Sequence, residues 1–348
     1  MADYGNFLII FSYVLILNFF FNKLDILKDK KNLSPHKSFT NTELNPPFSG
    51  GIILLITILI FFPHENLQFK IFILLVFFIG FFSDLNILKS PNLRFLIQLI
   101  IVLCFVFYSE NFIQSVRIEF LDNLFESYLI KLFFTSFCIL ILINGSNFID
   151  GVNTLTIGYY LLVLIFISLV LNDFQIQQST SNLLNILMFT LVLLFVLNFF
   201  ELLYLGDNGA YLLSFLVGIF LIDISNQIIL ISPYYIMNLL WFPAYENLFS
   251  IIRKIKNKKS AFNPDNYHLH HLILIYLKNR LKNIKLANSL TGCSINSYNL
   301  FIFYFATINY SNTKHQLLLS FFSLIIYNVL YITLKKNHKK NVLTKIYE

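Results

Sequence analysis

Charge is the scarcest commodity in this sequence. Only 12% of its 348 residues are Asp, Glu, Lys or Arg, about half the share in a soluble globular domain, which argues against an ordinary water-soluble fold. Cysteine is also sparse. Cys104, Cys138 and Cys293 have no paired spacing, so no disulfide framework is implied, and Cys104 and Cys138, set in apolar runs, read as small buried hydrophobes. Residues 7–21 lack a basic n-region and an A-x-A-like cleavage site, so they read as a first membrane span rather than a signal peptide. The longest polar segment, about 253–296, is under fifty residues and leaves no room for a soluble domain. No convincing internal repeat is present.

What the chain has in abundance is hydrocarbon: 57% hydrophobic residues, 41 Phe and a mean hydropathy of +0.70. Long apolar runs between short polar breaks predict membrane helices, each needing about 20 residues to cross. Eleven candidate spans fall at roughly 6–22, 48–63, 68–83, 94–109, 129–145, 155–172, 184–200, 209–225, 234–252, 297–310 and 316–334. The expected fold is all-α: a polytopic helix bundle of about 11 (10–11) transmembrane helices forming one integral membrane domain over 1–348. Lys and Arg accumulate in cytoplasmic loops. With the N-terminus outside and the C-terminus in the cytoplasm, 21 of the 25 basic residues fall inside, the exceptions being Lys70, Arg117, Lys131 and Lys314. The net charge of +7 is then a topological signal and an attraction to anionic lipid, and no nucleic-acid partner is expected.

That topology gathers the unusual polar residues on one face. Asp84 ends the third span in IGFFSDLNIL; Asn144, Asn147, Asp150 and Asn153 close the fifth in NGSNFIDGVN; Asp207 lies in LGDNGAY; Glu246 sits in WFPAYENLF. The run NPDNYHLHH (263–271) and the turn NPPFSGG (45–51) belong to the same side. Each has a plainer reading. A carboxylate at a span end is often a solvated interfacial group, asparagines can bond neighbouring helices, and HLHH with Asp265 fits either a zinc site or histidines in a basic loop. Collectively they point further, because ionisable groups at the middle of a span cost about 2.5–3.5 kcal/mol each and mark functional sites by default. Carboxylates with amide oxygens and no thiolate pair suit a hard cation such as Mg²⁺, and histidines with Lys or Arg beside it suit phosphate.

The pieces HKSFTNTELNPPFSGG (36–51), GFFSDLNILKSPNLRFLIQ (80–98), NGSNFIDGVNTL (144–155), LGDNGAYLLSFLVG (205–218), FPAYENLF (242–249) and NPDNYHLHH (263–271) together resemble the polyprenyl-phosphate N-acetylhexosamine-1-phosphate transferases. This membrane family also contains the phospho-N-acetylmuramoyl-pentapeptide transferases, and the six pieces occur in its order over 36–271. The resemblance implies an Mg²⁺-dependent enzyme, with Mn²⁺ as a substitute, in the bacterial cytoplasmic membrane with its site facing the cytoplasm. Such an enzyme joins a UDP-N-acetylhexosamine to a polyprenyl phosphate, commonly undecaprenyl phosphate, and releases UMP. The His-x-His-His form at 268–271 is similar to the UDP-N-acetylhexosamine branch. The resemblance further implies Asp207 as principal metal ligand and Asn147 as a second, its amide oxygen facing the ion. Asp84, Asp150, His268, His270 and His271 are the catalytic candidates, and Asn144, Asn153, Arg94, Asn198 and Gly206 the substrate-binding ones. A homodimer and a role in initiating a surface glycan such as O-antigen are further expectations.

The chain departs from the family pattern at Ser83, where an aspartate is usual, at Asn153 and Ala210, which replace an Asp and a Ser, and at Glu246, in place of an Asp. A phosphate monoester has a second pKa near 6, so the acceptor is mostly ionised near neutrality, and charge neutralisation with in-line positioning is expected to carry most of the rate. The competing class is a polytopic transporter or flippase with a phosphate- or ion-binding cluster. Transporters usually carry repeats and bind near the bilayer midplane, unlike the placement here.

Overall fold

The computed structural model describes residues 2–28, 46–62, 66–175, 177–258 and 267–347. Among them the chain is helical, with thirteen helices: α1 (Ala2–Lys23), α2 (Gly50–Phe61), α3 (Leu67–Asp84), α4 (Pro91–Ser109), α5 (Glu119–Leu124), α6 (Tyr128–Ile149), α7 (Leu155–Leu171), α8 (Gln178–Phe199), α9 (Gly206–Gln227), α10 (Pro233–Lys256), α11 (Leu269–Lys278), α12 (Ile284–Ile308) and α13 (Thr313–Tyr347). Seven of these are long and apolar enough to cross a membrane, and lipid-facing rows such as Leu318, Phe321, Phe322 and Val329 on α13 stay exposed. The protein is a polytopic membrane helix bundle. All eleven expected spans fall on helices. The region expected to be a polar loop, 253–296, instead contains α11 and the first half of α12. That half is helical because Asn283 caps it, accepting from Leu286 N at 3.2 Å. Its amides, Asn288 and Asn296, are buried against other helices, where they hydrogen-bond.

Helix α9 is the axis of the bundle. It packs on α2, α3 and α6 and buries most of its length. Close approach depends on small residues: a Cβ built on Gly80 of α3 would lie 2.6 Å from the carbonyl carbon of Asp207, so α3 meets the start of α9 backbone to backbone.

Helix α10 carries Pro243 in its interior. Proline has no N–H to offer the carbonyl four residues back, which leaves the oxygen of Leu239 without its helical donor. Tyr159 of α7, fully buried, supplies one at 2.7 Å and accepts in turn from Phe242 N at 3.3 Å. At the turns of the end opposite the polar site, Arg117 donates to the carbonyls of Ile229, Ile231 and Ser311 and to the Thr313 hydroxyl. One guanidinium thereby ties the α9–α10 and α12–α13 connections together. A cavity of about 660 Å³ also opens at that end, lined by Phe69, Phe72, Phe105 and Phe220 with Glu110 and Asp223. It shares no lining residue with the polar site.

Candidate active site

The polar site is built where helices stop. Helix α3 ends on Ser83 and Asp84; α4 begins under a Ser90 cap with Pro91 in its first turn and carries Arg94; α6 ends through Asn144, Asn147 and the cap residue Asp150; α9 starts at Gly206. Asp207 is where they converge. Its Oδ1 accepts from Asn147 Nδ2 at 2.7 Å, and its Oδ2 accepts from Ser83 Oγ at 2.6 Å and Arg94 Nη1 at 2.9 Å. Arg94 Nη1 also donates to the Ser83 hydroxyl. The Asp207 and Arg94 side chains are only partly covered, 28% and 22% exposed, so the cluster opens to solvent.

Asp84 serves the start of α9. Its carboxylate accepts from the backbone N–H of Asp207 and of Asn208, each at 3.0 Å, meeting two donors that a helix start leaves unsatisfied. Gly206 makes that approach possible: its φ is +78°, a region that side chains disfavour, and a Cβ there would lie 2.8 Å from Asp84 Oδ2.

The histidines assemble beside the same end of α6. Glu246, fully buried, accepts from Leu269 N at 2.9 Å and pairs with His268 Nδ1 at 3.0 Å. His268 and His270 stack with centroids 5.4 Å apart, and His271 lies 4.2 Å from His270. The segment NGSNFIDGVN, the end of α6 and the turn after it, touches both groups. Asn147 reaches Asp207, the Phe148 ring lies 5.5 Å from His268, and a Cβ on Gly151 would sit 2.6 Å from His270 Nε2. Lys254, buried, projects over the Phe148 ring at 5.4 Å.

His270 is fully buried and neither ring nitrogen has a hydrogen-bond partner. Burial, followed by the neighbouring His271 and His268, pushes its pKa well below 6.5. In the unfolded chain the imidazole titrates near 6.5, so below that pH the unfolded state takes up a proton that the folded state refuses. Stability is therefore expected to decline as pH falls from about 6.5 toward the lowered folded-state value. Thermal unfolding of the detergent-solubilised protein between about pH 8 and pH 5 checks this: His270→Leu should flatten the decline relative to wild type. Identical slopes in the two proteins would refute it.

Not every expected residue joins the site. Asn144 Nδ2 bonds the Leu140 carbonyl at 2.9 Å and Gln98 Oε1 at 3.2 Å, below the cluster. Asn153 and Asn198 belong to a separate buried network. Asn153 Nδ2 donates to Glu201 Oε1 at 3.3 Å, Asn198 accepts from Thr154 N at 2.5 Å, and Asn198 Nδ2 donates to the Leu203 carbonyl at 2.9 Å. They brace the two loops that carry the site. Glu201, buried with φ +56° and pushed upward in pKa by that burial, has no counterpart among the sequence expectations. Neither has Lys254, which sits in a basic run that reads as topological charge. Ser83 is a hydroxyl bridge between Arg94 and Asp207.

The donor set bears on a cation. Among the described residues no three acidic, His or Cys side chains gather as a metal cage, and Asp265 and residues 36–45 lie outside those described. Asn147 turns its amide nitrogen to Asp207, which leaves its oxygen as the atom it has to offer an ion. One carboxylate and one amide oxygen fit Mg²⁺, which demands few protein ligands and completes its shell with water and substrate phosphate.

Comparison with known proteins gives similarity over the part of the chain that carries these residues. Residues 67–225 match the model of glycosyl transferase family 4, a stretch containing Asp84, Arg94, Asn147, Asp150 and Asp207. The undecaprenyl-phosphate alpha-N-acetylglucosaminyl 1-phosphate transferase of Thermotoga maritima is 28% identical over 228 residues, 65% of this chain and 67% of the relative. A probable undecaprenyl-phosphate N-acetylglucosaminyl 1-phosphate transferase of Bacillus subtilis is 28% identical over 54% of this chain and 52% of its own length. The Escherichia coli K12 relative, named as the Thermotoga one, is 26% identical over 62% and 59% respectively. This chain thus spans between about half and two thirds of the relatives it matches. The polar helix ends that carry Asp84, Asn147 and Asp207 lie inside the matched stretch, so it is over the part of the chain that builds the site that this protein is similar to glycosyl transferase family 4.

Proposed function

We propose that this chain transfers an N-acetylhexosamine 1-phosphate from a UDP-sugar to undecaprenyl phosphate at the cytoplasmic face of a bacterial inner membrane, initiating a surface glycan. The observation that carries the reading is Asp207, to which the ends of α3, α4 and α6 each send a polar side chain. A lone interfacial carboxylate would not draw donors from three helices.

In the transfer, an oxygen of the lipid phosphate forms a bond to the sugar-bearing phosphorus. The bond from that phosphorus to the bridging oxygen breaks, and UMP departs with the electron pair. The protein's part is positioning and charge. Asp84 fixes the first turn of α9 and hence the Asp207 backbone. Arg94, held by Ser83 and Asp207, brings a guanidinium to the rim, where it binds phosphate oxygens. His268, oriented through Nδ1 by Glu246, directs its other nitrogen away from that carboxylate and donates to the diphosphate. Asp207 and Asn147 would hold Mg²⁺, which when bound neutralises diphosphate charge. Because the acceptor phosphate is already ionised near neutrality, Ser83 in the place of a carboxylate removes no base that the reaction needs.

The test is UMP release from a panel of UDP-N-acetylhexosamines by reconstituted protein, with and without undecaprenyl phosphate and Mg²⁺. Release that needs both lipid and metal supports transfer and identifies the sugar. Release without the lipid would indicate hydrolysis, and no release from any donor would return the transporter reading.

A further inference from the structure

Helix α13 lies beyond the stretch matched by the family model, yet its polar contacts run to the histidine segment. Arg253, near the end of α10, donates from Nη1 to the carbonyl of Tyr267 and, at 3.2 Å, to the hydroxyl of Tyr331 on α13. Its Nη2 donates to Ser250 Oγ at 3.2 Å. The guanidinium carbon stands 5.7 Å from the Phe249 ring centre and 5.8 Å from that of Tyr331, and those two rings meet edge-on at 4.8 Å. Lys335, one turn further along α13, covers the Tyr331 and Tyr267 rings at 5.5 and 5.8 Å. Tyr331 is 4% exposed, on the face of α13 that also buries Tyr327 and Ser323. Four residues earlier Tyr327 packs edge-on against Tyr245 at 4.8 Å, and Asn328 donates to the Tyr245 hydroxyl at 2.7 Å. The α13 face from Tyr327 to Lys335 is therefore laid along the part of α10 that runs from Glu246 to Arg253.

The consequence falls on His268. Its imidazole is held by Glu246 on one side. The carbonyl that Arg253 grips belongs to Tyr267, so it lies on the peptide unit leading into His268. One hold fixes the ring and the other fixes the backbone it hangs from. A guanidinium has five donors in a plane and needs an acceptor and a flat face to be fixed; Tyr331 provides both from one side chain.

We infer that Tyr331 is a positioning residue for His268, acting through Arg253 and the Tyr267 carbonyl, so that α13 is a working part of the site rather than an added membrane anchor. The inference rests on the proposed transfer reaction. It predicts a graded response. Tyr331→Phe keeps the ring and loses the acceptor; Tyr331→Leu loses both. Small displacements of a positioned group can lower rates by up to about a hundredfold.

The experiment compares wild type, Tyr331→Phe and Tyr331→Leu in the UMP-release assay, with kcat and KM for donor and lipid resolved and the thermal midpoint measured alongside. The expected result is a kcat lowered about threefold to tenfold in the Phe variant and about thirtyfold in the Leu variant. Both KM values should stay within about twofold, because the substrates still bind while the chemical step loses a positioned group. Unchanged kcat in a folded Leu variant would overturn the inference, as would a loss of kcat that comes with a matching fall in the thermal midpoint and a rise in both KM values. If the Leu protein does not fold, the Phe variant decides, and wild-type kcat there overturns the inference. A wild-type protein that releases no UMP fails the functional reading itself, before any variant is compared.

Discussion

Asp207→Asn is expected to lower the rate of UMP release by about 10²–10³-fold, with little change in thermal stability. The substitution keeps size and shape, and an amide oxygen at the same place still accepts from Asn147 or Ser83. What is lost is one negative charge, the charge that Arg94 faces at 2.9 Å. Because these side chains are 28% and 22% exposed, solvent already screens the pair, and partly exposed ion pairs contribute little to folding. Activity and stability are thus separable at this position. The decisive comparison is kcat against the thermal midpoint in the same preparation. An Asn variant within about threefold of wild type would remove Asp207 from the centre of the reaction, and with it the proposed route.

The second large effect is on folding. A Cβ added at Gly292 of α12 would overlap the Asn153 carbonyl oxygen and the Thr154 hydroxyl and lie 2.6 Å from Leu155 N. Two of those three atoms are backbone, at the connection from α6 to α7, and Thr154 is already held there with φ +67°. The chain has no easy way to yield. Overpacking of this kind costs about 1–3 kcal/mol or more, so Gly292→Ala should give a clearly lower thermal midpoint and less folded protein. Gly218→Ala is the control, since its Cβ meets only the flexible end of Leu142, at 3.0 Å. Equal midpoints for the two alanine variants would show that α12 does not brace the loop.

These two sites also show what a linear reading can reach. Asp207, Asp84 and Asn147 are legible because each interrupts hydrocarbon, and a polar group beside a membrane span needs a reason wherever its partners lie. The helices are legible for the complementary reason that long apolar runs leave few alternatives. What is hidden is pairing at a distance. Nothing near Asn153 in the chain announces Glu201 or Asn288, 48 and 135 residues away, so a residue that braces a loop looks identical to one that lines a cavity. The start of α12 is hidden for the same reason. Asn288 and Asn296 resemble loop composition until buried partners such as the Asn153 N–H and the Thr154 carbonyl are in place. The direction of the Asn147 amide is decided by Asp207, 60 residues on.

The Tyr159–Pro243 pair bears on how such a chain can change over time. Pro243 withdraws a donor from the Leu239 carbonyl, and Tyr159 restores one from a different helix. With the proline in place and the tyrosine absent, a carbonyl is stranded in an apolar interior, a penalty of about 1–3 kcal/mol. With the tyrosine in place and an ordinary residue at 243, nothing is stranded, because the helix supplies its own donor. The two residues are therefore not interchangeable in order of arrival. A lineage that reaches this arrangement without passing through a weakened protein acquires the tyrosine first, and once the proline follows, the tyrosine can no longer be given up.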